Sequence, residues 1–307
     1  MNKPTIAISI GDLSGVGIEL ALNSHKKISK LCKPVYCINE KMLAQAATLL
    51  NAAIPDDFTI APVDGFFDIK VAQVNAQSGK YAYDSFMKAI ELCQTQQAEA
   101  VVTLPIHKEA WMMAGLEYKG HTDLMRKYFK KDAIMMLGTP DMFVALFTEH
   151  VPLKEVSSAI EYNRLKQFFL DLHNSIKKEK IAVLGLNPHA GDNGVLGDEE
   201  QIITKAINSA NEAIGFEQFV GPIVPDVAFA PYFRKNYNYF VAMYHDQGLA
   251  PLKALYFDES VNISLNLPIV RTSVDHGTAF DIAYKNQASN LSYLNAVKSA
   301  IKLIKSS

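Results

Sequence analysis

Cysteine is scarce in this chain of 307 residues, which contains only Cys32, Cys37 and Cys93. An odd and small number of cysteines argues against a disulfide framework and fits reduced thiols in a cytosol. Cys32 and Cys37 are close enough in sequence to share a metal ion, but no second cysteine pair accompanies them. We therefore interpret all three cysteines as buried, inert thiols.

Two further absences limit the possible partners. No apolar run approaches the roughly 20 residues needed to span a bilayer, and the N-terminus lacks the features of a signal peptide. The 30 basic and 32 acidic residues are dispersed and leave a formal charge of −2, so no basic patch is available for nucleic acid or an anionic membrane. We expect a cytoplasmic protein whose partners are small molecules or a second copy of itself.

Short β-branched runs alternate with longer helical patterns, which is typical of an α/β protein with a largely parallel sheet. The predicted strands are residues 5–10, 35–38, 100–103, 134–137, 144–147, 181–186, 240–244 and 261–265. The predicted helices are residues 18–28, 41–50, 83–92, 164–176, 199–214 and 293–304. Residues 53–74 lack clear periodicity, and we interpret them as an irregular connection or a small hairpin.

The sequence marks no sharp domain boundary. Its length allows one large core or two moderate ones, and two lobes around a cleft are the expected arrangement. In this interpretation residues 103–222 form one lobe, and residues 1–102 and 223–307 combine in the other.

Three histidines follow predicted strands or lie in turn-like sequence, where α/β sheets present functional groups. They are His150 in Thr-Glu-His-Val-Pro, His189 in Asn-Pro-His-Ala-Gly and His245 in Tyr-His-Asp-Gln-Gly. Imidazole is the commonest ligand of zinc-like ions, and three protein ligands with open positions are typical of a catalytic metal site. The spacing matches no short metal-binding motif, so ordinary structural roles are the alternative.

Two other segments combine polar and turn-forming residues. Residues 185–194 follow an apolar strand and form either a plain connecting loop or part of a site. Further along, Lys253, Asn262 and Arg271 stand among apolar strand residues, which favours a pocket for a phosphate or a carboxylate. Taken singly, Lys253 and Arg271 would be interpreted as surface charges.

Glycine marks two more segments. Residues 11–19 follow a strand and open a helix, but they match neither Gly-x-Gly-x-x-Gly nor the P-loop, which disfavours a Rossmann-type cofactor site. They predict a tight turn near the active cleft. Residues 119–123 place His121 and Thr122 at a glycine turn before a helix, where Thr122 is either an N-cap or a ligand-binding residue.

In chain order, these segments together resemble the 4-hydroxythreonine-4-phosphate dehydrogenase family over essentially the whole chain. The motifs are Gly-Asp-x-x-Gly-x-Gly-x-Glu (11–19), Pro-Ile-x-Lys (105–108), Gly-His-Thr-Asp (120–123), Gly-Leu-Asn-Pro-His-Ala-Gly (185–191), Tyr-His-Asp-Gln-Gly-Leu-x-Pro-Leu-Lys (244–253), Val-Asn-x-x-Leu-x-Leu-Pro (261–268) and Arg-Thr-Ser-Val-Asp-His-Gly-Thr-Ala (271–279). The last four motifs are highly specific.

The resemblance implies a homodimer with an isocitrate/isopropylmalate dehydrogenase-like fold, in which two α/β lobes surround a central cleft and the active site lies near the subunit interface. It implies His150, His189 and His245 as ligands of a divalent metal (zinc, magnesium or cobalt), with His245 donated across the dimer. The residues implied as contacts of the phosphorylated substrate are His121, Thr122, Lys253, Asn262 and Arg271.

Residues 275–283 also resemble the loop His-Gly-x-Ala-x-Asp-Ile-Ala of the wider β-decarboxylating dehydrogenase superfamily, which holds the adenosine end of the nicotinamide cofactor. This second resemblance implies that NAD or NADP contacts Asp275, His276, Gly277 and Asp281. It also explains why no Rossmann motif is present.

The implied reaction is a metal-dependent, NAD(P)-dependent oxidation of 4-phosphohydroxy-L-threonine to a 3-oxo acid, with Lys253 as the candidate general base. The 3-oxo acid then loses carbon dioxide to give 3-amino-2-oxopropyl phosphate, which feeds pyridoxine 5′-phosphate biosynthesis. One alternative is a paralogue that acts on D-threonate or D-erythronate 4-phosphate. Two others are a non-catalytic relative and a phosphotransacetylase-like enzyme, which would use no nicotinamide.

Overall fold

The computed structural model describes residues 3–177 and 179–306, which form eleven strands and twelve α-helices. The strands are β1 (Thr5–Ser9), β2 (Lys33–Cys37), β3 (Ile60–Ala61), β4 (Ala100–Thr103), β5 (Ile134–Thr139), β6 (Met142–Leu146), β7 (Ile181–Leu184), β8 (Phe219–Ile223), β9 (Tyr239–Ala242), β10 (Val261–Leu265) and β11 (Val270–Val274). The helices are α1 (Gly17–Ile28), α2 (Glu40–Leu50), α3 (Ala76–Gln94), α4 (Lys108–Met113), α5 (His121–Phe129), α6 (Val156–Ala159), α7 (Tyr162–Ser175), α8 (Glu199–Ile214), α9 (Pro225–Ala228), α10 (Pro231–Arg234), α11 (His245–Tyr256) and α12 (Leu291–Ser306). Short 3₁₀ segments lie at Leu153–Glu155 and Pro188–Gly194.

All eleven strands of the described chain join one sheet, in the order β3-β2-β1-β4-β11-β10-β5-β6-β9-β7-β8. Seven of the neighbouring pairs are parallel, which confirms the predicted α/β class with a largely parallel sheet. The three antiparallel pairs, β11 with β10, β10 with β5 and β5 with β6, lie together in the middle of the sheet. The sequence pattern did not predict this antiparallel centre.

The predicted strands and helices all correspond to observed ones, and most of the differences are at element ends. Helix α3 is the largest difference, because it begins at Ala76 rather than at residue 83. The strands β8 and β11 and the helix α11 were not predicted. Their sequences explain this, since β8 contains Gly-Pro, β11 has three consecutive polar residues at 271–273 and α11 carries Pro251 in its interior. Residues 53–74 contain the two-residue strand β3.

The strand order bears on the predicted division into lobes. Strand β9 belongs to the predicted segment 223–307, yet in the sheet it lies between β6 and β7, which belong to the other predicted lobe. Residues 239–242 therefore sit with the strands of segment 103–222. The boundaries at residues 102 and 222 stay a prediction.

Side-chain alternation divides the core into two clusters. Along β5, Met136 packs into the larger cluster, whereas Met135 and Leu137 pack into a smaller one with α11 behind it. Successive residues of a strand point to opposite faces, so a strand buried on both faces contributes to both clusters. None of the described helices is both long and apolar enough to cross a bilayer.

The three cysteines are free thiols, as predicted. Cys32 and Cys37 are buried, whereas Cys93 is half-buried. Burial raises the pKa of Cys32 and of Cys93 to about 12 and raises that of Cys37 further. Thiols with such raised pKa values are poor nucleophiles and poor metal ligands at neutral pH, which supports the inert role.

Candidate functional site

A cavity of about 1120 Å³ lies at the sheet edge where β4, β6, β9 and β11 end. This volume exceeds the 300–1000 Å³ or so of an ordinary small-molecule pocket and leaves room for a substrate together with part of a cofactor. Ten of the residues predicted for the site line it, namely His121, Thr122, His150, His245, Lys253, Asn262, Arg271, Asp275, His276 and Gly277. The other two, His189 and Asp281, are not among its lining residues.

Arg271 is a buried cation at the floor of this cavity, with 2% of its surface exposed. Its Nη1 donates to Asn262 Oδ1 at 3.3 Å and to Ser264 Oγ at 3.1 Å, and its Nη2 donates to Thr103 Oγ1 at 2.7 Å. These partners share one sheet face because β10 and β11 are in register there.

All of these Arg271 partners are neutral, and within the described residues no acidic side chain pairs with the guanidinium. Its Nε is buried with no hydrogen-bond partner. Burial lowers the pKa of Arg271 to about 9, which leaves the group charged at neutral pH. An unpaired buried cation beside a cavity is a binding site for an anion.

His121 and Thr122 begin α5 beside this cation. The His121 ring packs edge-on against Phe86 and Trp111, and its Nε2 is buried without a hydrogen-bond partner. Burial, and next the charge of Arg271, lower the pKa of His121 well below its usual value of 6.5, so the ring is neutral. Thr122 does not act as an N-cap; its hydroxyl lies 3.4 Å from Ser264 Oγ. This outcome favours the ligand-binding interpretation of Thr122.

Lys253, on α11, lines the cavity. Its Nζ forms an ion pair with the Asp275 carboxylate and lies 3.3 Å from the Asp275 carbonyl oxygen. The Ser260 hydroxyl donates to the same carboxylate. Lys253 must therefore give up a proton, for which Asp275 is the nearest acceptor, before it can act as the predicted general base.

The three candidate metal ligands follow strands, as predicted, and the structure places these strands side by side and parallel in the sheet. His150 follows β6, His245 follows β9 and His189 follows β7. The rings of His150 and His245 are 5.3 Å apart between centroids, both on the cavity wall. His245 thus stands beside His150 in the same chain, and its donation across a dimer stays a prediction.

The chemistry of the two adjacent histidines fits a metal. His245 Nδ1 lies 2.7 Å from Asp246 Oδ1, an arrangement that leaves Nε2 free and mirrors the carboxylate–histidine pairs of metal sites. Burial, and next the neighbouring His245, lower the pKa of His150, and the neutral imidazole is the form that binds metal. Within residues 3–177 and 179–306, however, no three His, Cys, Asp or Glu side chains come together as a metal site.

His189 is exposed, and its ring does not reach the pair of histidines within one chain. The turn that carries it continues into the exposed apolar residues Val195 and Leu196, which are 77% and 47% exposed. Beside His150, the apolar residues Val151 and Leu153 are also exposed. Apolar surface is therefore exposed both beside His150 and beside the turn that carries His189.

The predicted cofactor loop packs against the glycine-rich turn between β1 and α1. The Val16 N–H donates to the Thr278 carbonyl at 3.0 Å, and a Cβ on Gly15 would lie 2.7 Å from that carbonyl oxygen. The glycine at position 15 therefore permits the two segments to touch. At Gly277 a Cβ would meet nothing within 4 Å, so the loop presents an open face to the cavity.

Sequence reasoning missed several polar residues of this site. Lys108 lines the cavity and ends the motif Pro-Ile-x-Lys, so the motif itself was a usable signal. Arg126 and Glu149 form a bidentate ion pair beside His150, and their separation in sequence gives no signal. Gln247 links two histidine loops, because its Oε1 accepts from Met243 N at 2.7 Å and its Nε2 donates to the Gly185 carbonyl at 2.6 Å.

The chain is similar to known proteins over nearly its whole length. Residues 30–300 match the family model described as "Pyridoxal phosphate biosynthetic protein PdxA". The chain is 67% identical over 303 residues to a protein of Sulfurimonas denitrificans named 4-hydroxythreonine-4-phosphate dehydrogenase, and the match covers 99% of each chain. It is 55% identical to a protein of the same name from Campylobacter fetus subsp. fetus, again over 99% of each chain.

Solved structures show the same likeness in three dimensions. The crystal structure of a 4-hydroxythreonine-4-phosphate dehydrogenase from Klebsiella pneumoniae superposes with a TM-score of 0.83 at 31% identity, over 98% of each chain. The match covers nearly the whole chain, so it extends over both halves of the sheet.

Proposed function

Since this chain belongs to the PdxA family of pyridoxal phosphate biosynthetic proteins, we propose that it catalyses the NAD(P)-dependent, metal-dependent oxidation of 4-phosphohydroxy-L-threonine in the cytoplasm. The product, a 3-oxo acid, loses carbon dioxide and takes up one proton to give 3-amino-2-oxopropyl phosphate for pyridoxine 5′-phosphate biosynthesis. The relatives' names do not favour the alternative substrates, D-threonate and D-erythronate 4-phosphate.

The observation that carries this proposal is the unpaired buried charge of Arg271. A dianionic phosphate supplies the counter-charge that this guanidinium lacks in the described chain, and Asn262, Thr122 and His121 stand around it as further hydrogen-bonding groups. Because the arginine is held by three neutral partners before any ligand binds, the phosphate is recognised by a preformed group. Arg271 and these neighbours thus fix one end of the substrate.

His150 and His245 would hold the divalent metal together with His189 of a second copy. The exposed apolar residues beside His150 and beside the His189 turn support a contact between two copies at this place. When bound, zinc, magnesium or cobalt would acidify the substrate hydroxyl and stabilise the negative charge that develops during decarboxylation. A set of imidazoles suits zinc or cobalt, whereas magnesium would need added carboxylate ligands.

The remaining groups act on protons and on the cofactor. Lys253 takes the hydroxyl proton after passing its own to Asp275, while Ser260 keeps the carboxylate oriented. The hydride leaves to NAD or NADP, for which Asp275, His276 and Gly277 line the adjoining part of the cavity. Asp281, although outside the cavity lining, belongs to the same loop and is proposed to contact the cofactor.

The reaction is tested by the absorbance of reduced nicotinamide when protein, metal and NAD or NADP are mixed with 4-phosphohydroxy-L-threonine. Metal-dependent reduction with this substrate is the expected result. Reduction only with D-threonate or D-erythronate 4-phosphate would assign the chain to the alternative reaction. No reduction with any of the three compounds would contradict a dehydrogenase. A non-catalytic relative or a phosphotransacetylase-like enzyme would then be the alternatives.

The shared metal site is tested by mixing two inactive variants, His189→Ala and His245→Ala, under conditions that allow subunits to exchange. One of the two sites in each mixed dimer would then be complete, so about a quarter of the wild-type activity should return. A mixture of His150→Ala and His245→Ala is the matched control and should stay inactive, because both ligands come from one chain. Recovery in the control mixture would instead support donation of His245 across the dimer.

A further inference from the structure

The turn that presents His189 has an unusual backbone. Residues 189–193 all have φ between 44° and 78°, in the left-handed region, although only Gly191 is a glycine. Side chains disfavour this conformation, and a run of such residues persists only where the surrounding structure fixes it. The turn therefore needs a partner inside the fold.

That partner is Glu200, the second residue of α8, which is 7% exposed. Its Oε1 accepts from the backbone N–H of Leu186 at 2.8 Å and of Asn187 at 2.7 Å, and its Oε2 accepts from Asn187 Nδ2 at 2.9 Å. The turn closes tightly over this carboxylate, since a Cβ on Gly191 would lie 2.7 Å from Oε2. Glu200 is thus enclosed by the residues on both sides of His189.

We propose that Glu200 is a positioning residue that fixes the left-handed turn so that the His189 imidazole reaches the metal site of a second copy. The inference rests on the proposed function, in which His189 is the third metal ligand. Glu200 touches neither substrate nor metal in this proposal. Its effect passes through the backbone of Leu186 and Asn187, three and two residues before His189.

Glu199 provides a matched control next to it in sequence. Its carboxylate accepts from Asn187 Nδ2 at 2.7 Å and from the Ser157 hydroxyl, and no backbone N–H of the His189 turn is among its partners. The hydrogen bond from Ser157, and next the one from Asn187, lower the pKa of Glu199. Glu199→Gln removes the same charge at the same helix terminus without disturbing the two backbone amides.

The experiment measures the affinity of the whole dimer for zinc alone, by competition with a chromogenic chelator. Glu200→Gln places an amide where a carboxylate accepted three hydrogen bonds, and we expect zinc to bind about 10- to 100-fold more weakly. Excess zinc should restore kcat to within about twofold of wild type, because the reacting groups are unchanged. Glu199→Gln should leave zinc affinity within about twofold of wild type.

A second variant covers the case in which Glu200→Gln does not fold. Gly191→Ala keeps the carboxylate and pushes the turn away from it, so it should weaken zinc binding in the same way. Unchanged zinc affinity in the folded variants, or a loss of kcat that zinc does not restore, would overturn the role of Glu200. The variant His189→Ala tests the proposed ligand set separately from the role of Glu200. If this variant binds zinc as tightly as the wild type does, His189 is not a metal ligand and the proposed ligand set fails as well.

Discussion

The two ends of the cavity are built in different ways. Around Arg271, the side chains are buried except for the half-buried Asn262, lie on or directly beside the central strands β10 and β11, and all come from one chain. Around His150 and His245, the residues lie on loops or at the start of a helix, are partly exposed, and lack a third ligand in the described chain. The described chain therefore holds a finished set of groups for an anion and an unfinished set for a metal. Under the proposed function, anion binding depends on the fold alone, whereas metal binding depends on the assembly of two copies.

The strongest test of this comparison is His245→Ala. Because His245 is partly exposed and packs little core, its loss should shift the thermal midpoint by about 2 °C or less while lowering kcat at least about 1000-fold, which corresponds to roughly 4 kcal/mol of lost metal catalysis. Circular dichroism and initial rates with saturating zinc measure the two effects. Activity close to wild type would remove this histidine from the site.

The next test removes the buried charge with Arg271→Met. Charge-assisted hydrogen bonds are worth about 1.5–3 kcal/mol each, so kcat/KM should fall about 100- to 1000-fold. Stability should stay equal or rise, because an unpaired buried cation is replaced by an apolar side chain of similar length. A substrate that lacks the phosphate provides the control: the variant and the wild type should use it equally poorly.

A loss of stability in Arg271→Met, measured by chemical unfolding without added anions, would contradict the interpretation of Arg271 as a buried cation that has no counter-ion until a ligand binds. Equal loss of kcat/KM with the phosphorylated and the dephosphorylated substrates would show that Arg271 does not bind the phosphate group.

The neutral state of His121 predicts how stability depends on pH. Its pKa in the folded protein is well below 6.5, whereas the unfolded chain takes up a proton near pH 6.5. As the pH falls below 6.5, His121 therefore becomes protonated in the unfolded state but stays neutral in the folded state. The free energy of unfolding then drops by up to about 1.4 kcal/mol per pH unit. His121→Asn should be less sensitive to pH in urea titrations between pH 5 and 7.5. An identical slope for both proteins would contradict a neutral, buried His121.

The smallest expected effect is stabilisation by a simple anion. Sulfate or inorganic phosphate at about ten times its dissociation constant should stabilise the wild type by about 1.4 kcal/mol and raise its thermal midpoint by a few degrees, with no effect on Arg271→Met. Differential scanning fluorimetry at constant ionic strength, with chloride as the control salt, measures the shift. A chelator should not change it, because the two ends of the cavity are independent in this respect.

The sequence predicts the groups around Arg271 better than it predicts the candidate metal site around His150 and His245. Alternating apolar runs identify the parallel strands, and the motifs mark the residues that follow them, so ten of the twelve predicted site residues line the cavity. Strand β11 of the antiparallel centre escapes prediction, because its three consecutive polar residues, Arg271 among them, disrupt the apolar pattern. The Arg126–Glu149 pair and the contacts of Glu200 depend on distant segments that only the fold brings together.

Strands β11 and β10 are the fifth and sixth of the eleven in the sheet, with β4 on one side and β5 on the other. Arg271 and Asn262 therefore lie near the middle of the sheet, far from both of its edges. Under the proposed function, one end of the substrate is held at this place, and its reacting carbon atoms face the loops that follow β6, β9 and β11.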